Sequence, residues 1–212
     1  MELTSLIFDI AEPVGIFAFA VSGASVAAKR GLDIFGVIFI GRTTALGGGV
    51  MRDVLLGYVP PRMFENGTAV CIAVLTSVGV FIYAKYQKAA SIARADWVIN
   101  FLDAVWLAVF SITGVQLATD AGFANNAFLC IFLALTTGVG GGILSDVLIR
   151  ETPKVFTKHV YALAAIVGAA AYYLMIKAGA PYVASLLTSV VITVSIRMLA
   201  AHYRWNLPTA KR

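Results

Sequence analysis

The sequence predicts an all-α membrane protein with seven transmembrane helices, and three observations support this. Of the 212 residues, 60% are hydrophobic and only 13% are charged, against about 25% charged in an ordinary soluble domain. The apolar residues form runs long enough to cross a bilayer, and three of these runs are repeated later in the chain. Since so few charged residues cannot cover a soluble surface, the composition excludes most soluble folds.

Seven apolar runs each approach the roughly 20 residues that a helix needs to cross the hydrocarbon core. They cover residues 5–28, 33–57, 67–84, 98–118, 124–149, 160–177 and 182–201. Only short polar segments separate them. We therefore expect residues 1–212 to form a single transmembrane domain.

The basic residues are concentrated in alternate loops. With seven spans, eleven Lys and Arg fall on one side of the membrane and two on the other. The positive-inside rule then predicts an outer N-terminus and a cytoplasmic C-terminus. Because the net charge of +5 is spread over loops and not gathered in one patch, no nucleic-acid partner is expected.

An internal repeat relates two halves of the chain. At an offset of 93 residues, residues 43–60 match 136–153 at nine of eighteen positions. We place repeat one at about 5–86, repeat two at about 97–177 and an additional seventh helix at about 182–201. Each repeat holds three spans, so the second enters the membrane with the opposite orientation. In such folds the functional site lies near the midplane, between the repeats.

Three consecutive glycines interrupt the second span of each repeat. They are Gly47, Gly48 and Gly49 in the first copy, and Gly140, Gly141 and Gly142 in the second. Each glycine lowers helix propensity by about 1 kcal/mol relative to Ala, which predicts kinks or unwound turns. Freed backbone in a membrane needs neighbouring protein or cavity water, so the paired breaks indicate a water-accessible path. The alternative is that the glycines only allow close helix packing.

Polar and ionisable side chains lie beside both triplets, and within spans such groups are candidates for a functional site. They are Thr43, Thr44, Arg52 and Asp53 in the first copy, Thr136, Thr137, Ser145 and Asp146 in the second, and Arg42 deeper in the second span. We expect Arg52 to pair with Asp53 or, across the pseudo-two-fold axis, with Asp146, leaving one carboxylate to attract cations. Alternatively, both aspartates make structural ion pairs near the interfaces.

A second pair of aligned acidic residues occupies the first span of each repeat. At an offset of 91, Glu12 aligns with Asp103. Glu12 lies near the predicted outer end and Asp103 near the inner end, so each is a candidate mouth of a path. Alternatively, they cap a helix or hold a loop. Arg197, near the end of the seventh span, is expected to snorkel to the interface.

The remaining reactive residues give no sign of catalysis. Cys71 and Cys130 lie inside apolar runs, which favours small buried side chains over a disulfide. His159 and His202 have no partner at metal-ligand spacing. We therefore predict no enzyme, no metal and no cofactor.

The duplicated Gly-Gly-Gly-x-x-x-Asp-Val-Leu at residues 47–55 and 140–148, in a three-plus-three-plus-one layout, resembles the trimeric intracellular cation channels. The similarity is to their prokaryotic branch, also labelled a glycine-transporter-like domain, and it covers essentially the whole chain. It implies a homotrimer in the lipid of a prokaryotic inner membrane, with one pore per protomer for potassium, sodium or other small monovalent cations. It further implies that helices two and five kink at the glycines, which act as gating hinges, while the neighbouring polar residues line or gate the path.

Two functions from different classes follow. A passive, potassium-permeable channel is the leading hypothesis. A secondary transporter of glycine or a similar zwitterion is the alternative, because the N-termini of interrupted helices can hold a carboxylate. A membrane protein with no transport function would leave the intramembrane charges unexplained.

Overall fold

A computed structural model describes residues 2–65, 67–86, 96–157 and 160–205; His159 lies outside them. The regular elements of these residues are all helices. They are α1 (Glu2–Lys29), α2 (Ile34–Leu55), α3 (Gly67–Tyr86), α4 (Asp96–Ala118), α5 (Ala127–Leu148), α6 (Lys154–Thr157), α7 (Tyr161–Lys177) and α8 (Tyr182–His202). A 3-10 turn covers Arg62–Phe64, and a π-helical turn, Thr119–Phe123, extends α4.

The all-α membrane fold is confirmed. Every predicted apolar run corresponds to one long helix, and the predicted and observed ends differ by a few residues. Within the described part of the chain, five helices are long and apolar enough to cross a membrane, namely α2, α3, α4, α5 and α8, while α7 is apolar but has 17 residues. That all seven long helices cross the bilayer stays a prediction.

The two halves begin α2 and α5 in the same way. The Asp33 carboxylate accepts a hydrogen bond from the Gly36 N–H at 2.7 Å, and the Asn126 side-chain oxygen accepts one from Leu129 at 3.0 Å. Both residues are N-caps, which satisfy backbone donors that the first helical turn leaves open. Because Asp33 and Asn126 are 93 residues apart, the internal repeat extends to helix capping.

The same two helices also end alike. The Tyr58 N–H donates to the Asp53 carbonyl at 2.9 Å, and the Glu151 N–H donates to the Asp146 carbonyl at 2.8 Å. This six-residue closure requires a left-handed residue just after the helix. Gly57 supplies it with φ 79°, and Arg150 supplies it with φ 60°. The second copy therefore has a bulky side chain where the first has glycine.

The helices form a centre and a periphery. Helices α2 and α5 cross each other at the centre, α1 packs against α2, and α4 packs against α5. Helix α3 covers the first half, while α7 and α8 pack on each other and on α4. Large apolar side chains such as Phe35, Leu75, Phe128 and Val191 project outward, as expected of a protein in lipid. Any site between the repeats must therefore lie beside the α2–α5 crossing.

Replacing Arg150 with Gly should stabilise the protein. The left-handed conformation costs a non-glycine residue roughly 1–2 kcal/mol, and Gly removes that cost. We expect the unfolding midpoint of purified Arg150→Gly in detergent to rise, whereas Gly57→Ala at the equivalent position should lower it. Equal shifts in both variants would contradict this account of the two helix ends.

Candidate functional site

The α2–α5 crossing is a close contact of backbones. A Cβ atom at Gly48 would collide with the Thr137 carbonyl, and one at Gly141 would collide with the Thr44 carbonyl. Added Cβ atoms at Gly47 and Gly140 would each lie 3.3 Å from the Cα of a glycine on the other helix. These contacts are reciprocal, as a two-fold relation requires. The pseudo-two-fold axis of the repeat thus passes through the crossing.

The prediction of unwound turns at the triplets is wrong. Helix α2 runs unbroken through Gly47–Gly49, and α5 runs unbroken through Gly140–Gly142. The physical reason is that the first two glycines of each triplet are needed for their small size, because they admit the other helix. The third glycine of each triplet is not in the contact. Within 4 Å, a Cβ at Gly49 would meet only Arg52 of its own helix, and a Cβ at Gly142 would meet nothing. Whether the helices bend here during function stays a prediction.

The triplet offers a sharp test of the crossing. Gly141→Ala places a methyl group against an immobile carbonyl, so we expect a loss of about 1–3 kcal/mol or more in stability. Gly142→Ala meets open space and gains up to about 1 kcal/mol from helix propensity. Thermal unfolding in detergent measures both. A Gly142→Ala variant as damaged as Gly141→Ala would refute the packing account.

Asp53 and Asp146 hold the loops that follow α2 and α5. The Asp53 carboxylate accepts hydrogen bonds from Arg52 Nη2 at 2.7 Å and from the Arg62 N–H at 3.1 Å. The Asp146 carboxylate accepts one from the Lys154 N–H at 2.9 Å, with Lys154 Nζ at 3.7 Å. Each aspartate thus binds the first N–H of the next short helical segment. Both side chains are almost fully buried.

These contacts identify the partners of the two aspartates. Arg52 pairs with Asp53, as one alternative predicted. The expectation that one carboxylate remains free is wrong, because Lys154 lies beside Asp146. Ser145, which replaces Arg52 in the second copy, donates to the Gly142 carbonyl at 3.0 Å. In this structure both aspartates are anchors of the two loops, and a role in lining or gating the path stays a prediction.

Removing the two anchors should have unequal effects. Asp53→Ala leaves the buried Arg52 guanidinium uncompensated, which costs about 3–5 kcal/mol for a buried pair. Asp146→Ala loses a helix cap worth about 1 kcal/mol, while Lys154, whose side chain is 43% exposed, becomes hydrated. Comparing unfolding midpoints in detergent checks this order. The opposite order would overturn the assignment of Arg52 to Asp53.

The four predicted threonines all bond within their own helices. Thr43, Thr44, Thr136 and Thr137 each donate their hydroxyl to the carbonyl four residues earlier, at 2.6–2.9 Å. Since the proton is used in this way, the oxygen lone pairs remain for another partner. Thr44 and Thr137 lie at equivalent positions on the two crossing helices. Arg42, on the same helix as Thr44, is partly buried, with its guanidinium 5.4 Å from the centre of the Phe39 ring.

A cavity of about 40 Å³ lies between α1, α2, α4 and α5. A single water needs about 10–15 Å³ by this measure, so the cavity has room for a few waters or one partly hydrated ion. Both members of three equivalent pairs line it, and this places it across the pseudo-two-fold axis. The pairs are Phe19 with Phe110, Thr44 with Thr137, and Ala45 with Gly138.

The cavity extends towards only one of the two predicted mouths. Glu12 and Arg52 are among its lining residues, whereas their equivalents Asp103 and Ser145 are not. Glu12 is exposed and Arg52 is 8% exposed. The Arg52 charge is balanced by Asp53, so the Glu12 carboxylate gives this end of the cavity a net negative charge.

Asp103, at the opposite end, is covered by two side chains that the sequence did not single out as partners. Arg197 Nη2 lies 3.3 Å from one Asp103 oxygen, and the Tyr161 hydroxyl donates to the other at 3.1 Å. The expectation that Arg197 snorkels is wrong, since the residue is 7% exposed and its guanidinium lies 4.3 Å from the centre of the Tyr161 ring. The polar residues 103 and 197 were visible as charges inside apolar runs. Their pairing was not, because α8 has no counterpart in the repeat.

The cysteines are both free thiols. Cys130 is buried, as expected, and packs in the apolar cluster around α4, α5 and α7. Cys71 is exposed on α3, so the expectation of burial is wrong there. In a membrane helix an apolar side chain facing outward meets lipid, and the sequence pattern does not distinguish that surface from the protein interior.

Together, the crossing and the cavity define a duplicated, all-helical membrane protein with a polar site between its halves. The family model described as "Glycine transporter" matches the chain twice, at residues 9–85 and 100–177. The UPF0126 inner membrane protein YadS of Escherichia coli K12 is 35% identical over 92% of both chains.

Solved structures agree with the sequence comparison. A TRIC cation channel superimposes with a TM-score of 0.86 at 34% identity, covering 97% of this chain and 98% of that chain. The trimeric intracellular cation channel orthologue from Rhodobacter sphaeroides gives 0.83 at 29% identity, covering 94% and 99%. The chain belongs to the prokaryotic branch of the trimeric intracellular cation channel family, as the glycine motifs predicted, and is a multi-pass membrane protein.

Proposed function

We propose that this protein is a passive cation channel of the inner membrane, permeable to potassium and sodium, with one pore in each protomer of a homotrimer. The observation that carries the proposal is the cavity on the pseudo-two-fold axis, whose Arg52 charge is already neutralised, so that Glu12 gives it a net negative charge. The similarity to TRIC cation channels at 34% and 29% identity supports the same conclusion. The N-terminus is outside and the C-terminus cytoplasmic.

The lining of the cavity suits a small monovalent cation. Thr44 and Thr137 line the cavity, and each hydroxyl donates its proton within its own helix, so in this proposal the hydroxyl oxygens serve as acceptors or ion ligands. The net negative charge is exposed at Glu12 and concentrates cations at that mouth. One carboxylate and two hydroxyls bind an ion weakly enough to release it again, as conduction requires.

Opening depends on the α2–α5 crossing in this proposal. The backbones are in contact at Gly48 and Gly141, so no ion passes between the two helices there. Bending of either helix at its glycines separates the backbones and extends the cavity along the axis. The homotrimer, the surrounding lipid and the gating role of the glycines are parts of the same proposal.

The alternative, a transporter of glycine or a similar zwitterion, is less well supported. It depends on the N-terminus of a half-helix to hold the substrate carboxylate. Because α2 and α5 are continuous through both triplets, that group is not available in this conformation. The channel needs only the cavity and its charge.

Recording in planar bilayers under a potassium chloride gradient separates the two functions. A channel gives discrete unitary currents that reverse near the potassium equilibrium potential. A transporter gives no unitary current and shows saturable uptake of labelled glycine into liposomes. The second pattern would refute the proposed function.

Glu12→Gln should lower the unitary potassium conductance by roughly twofold or more at low salt, because the mouth loses the charge that concentrates cations. The difference should shrink at high salt as the charge is screened. Glu65→Gln is the matched control, since Glu65 is exposed on the same predicted side and does not line the cavity. An equal effect of both substitutions, or none from Glu12→Gln, would exclude the role of Glu12.

A further inference from the structure

A cluster of side chains from three helices lies at the predicted inner end of the path. Asp103 on α4 is bound by Arg197 on α8 at 3.3 Å and by Tyr161 on α7 at 3.1 Å. The Arg197 guanidinium also stacks on the Tyr161 ring. Both carboxylate oxygens of Asp103 are thus occupied, and the arginine side chain is 8% exposed. Leu107 and Val139, both buried, belong to the apolar cluster against which Tyr161 packs.

The equivalent place in the first half is open. Glu12, the counterpart of Asp103, is exposed at a cavity that reaches the pseudo-two-fold axis. The first repeat supplies its own arginine, Arg52, whereas the second has Ser145 at that position. Helix α8, which lies outside the duplication, delivers the missing guanidinium and directs it to Asp103. The two halves therefore carry similar charges but differ in whether the acidic residue is covered.

The Arg197 side chain is also long enough to extend to a second position, at the cytoplasmic interface beyond the end of α8. It lies five residues before the end of α8 at His202, which is about 7.5 Å along the helix axis. A long basic side chain at that depth can extend to the interface and keep its charge in water. A carboxylate left behind in the protein must be neutralised, by another cation or by a proton, because an uncompensated charge there is costly. A permeant ion at Asp103 satisfies that requirement.

We propose that Arg197 is the inner gate of the path, a tethered cation that competes with the permeant ion for the Asp103 carboxylate. This inference rests on the proposed channel function. In the closed state the guanidinium binds Asp103 and stacks on Tyr161. In the open state Arg197 extends towards the cytoplasmic interface, and a potassium or sodium ion takes its place at Asp103. The exchange conserves charge in the cluster, so it does not bury an unpaired ion.

The test is single-channel recording of the full-length protein in planar bilayers with potassium chloride. Arg197→Gln should shift the closed-to-open equilibrium towards open by roughly tenfold, because a charge-assisted contact of the closed state is lost. Asp103→Asn should also raise the open probability, but it should lower the unitary conductance, since the carboxylate that receives the ion is removed. Arg204→Gln, which removes an exposed charge beyond the end of α8, should change neither.

Arg197→Gln alone leaves the charge of Asp103 uncompensated, which destabilises the folded protein. A double variant in which both residues are neutral therefore provides a second test. Arg197→Gln combined with Asp103→Asn removes both charges and leaves a polar side chain at each position, and it too should open more often than the wild type. A purely structural role would lower the unfolding midpoint and leave the open probability of the folded fraction unchanged. Wild-type currents with unchanged open probability in the single and double variants would overturn the gate alone. Absence of wild-type currents would overturn the channel function itself.

Discussion

The contact between the α2 and α5 backbones is the constraint on which the rest of the structure depends. Only glycine permits it, because a single methyl group at Gly48 or Gly141 meets a carbonyl oxygen of the other helix. The close approach of α2 and α5 fixes the position of the pseudo-two-fold axis that relates the two repeats. It also places both Thr44 and Thr137 in the lining of the cavity, which lies where the two halves meet. Membrane helices gain little from apolar contact with each other, and close packing of small residues is their main source of attraction.

The two halves have equivalent backbone features but differ in their charged side chains. Both halves share the N-caps, the helix stops and the aspartate that binds the following loop. They differ at Arg52, which is Ser145 in the second copy, and at Arg197, which comes from a helix outside the repeat. As a result, one acidic residue of the first-helix pair stands at an open cavity and the other is covered. The duplication thus accounts for the arrangement of helices that the two halves share. A few substitutions, together with α8, account for the difference between the two predicted mouths.

Much of this architecture follows from the sequence because its signals are local or repeated. Helix positions follow from apolar runs, and the equivalence of the halves follows from the 93-residue offset. The unwound turns predicted at the glycine triplets are absent from α2 and α5, because three glycines favour flexibility and close packing equally well, and only the partner helix decides between them. The pairing of Asp103 with Arg197 and Tyr161 joins positions 94 and 58 residues apart. Neither local pattern nor the repeat contains such a contact, since α8 lies outside the duplication.

Two mouths in different states need an asymmetric element in a duplicated membrane protein. Two identical halves related by a two-fold axis in the membrane plane would have both mouths open or both closed at the same time. Here the backbone contact at the axis is symmetric and cannot by itself distinguish the two sides. Helix α8 can distinguish the two sides, because it packs on α4 and α7 of the second half and has no equivalent helix beside the first half. The additional helix is therefore an element of the fold that is able to give the two mouths different states, and in the proposed gate Arg197 is the group through which it reaches the path.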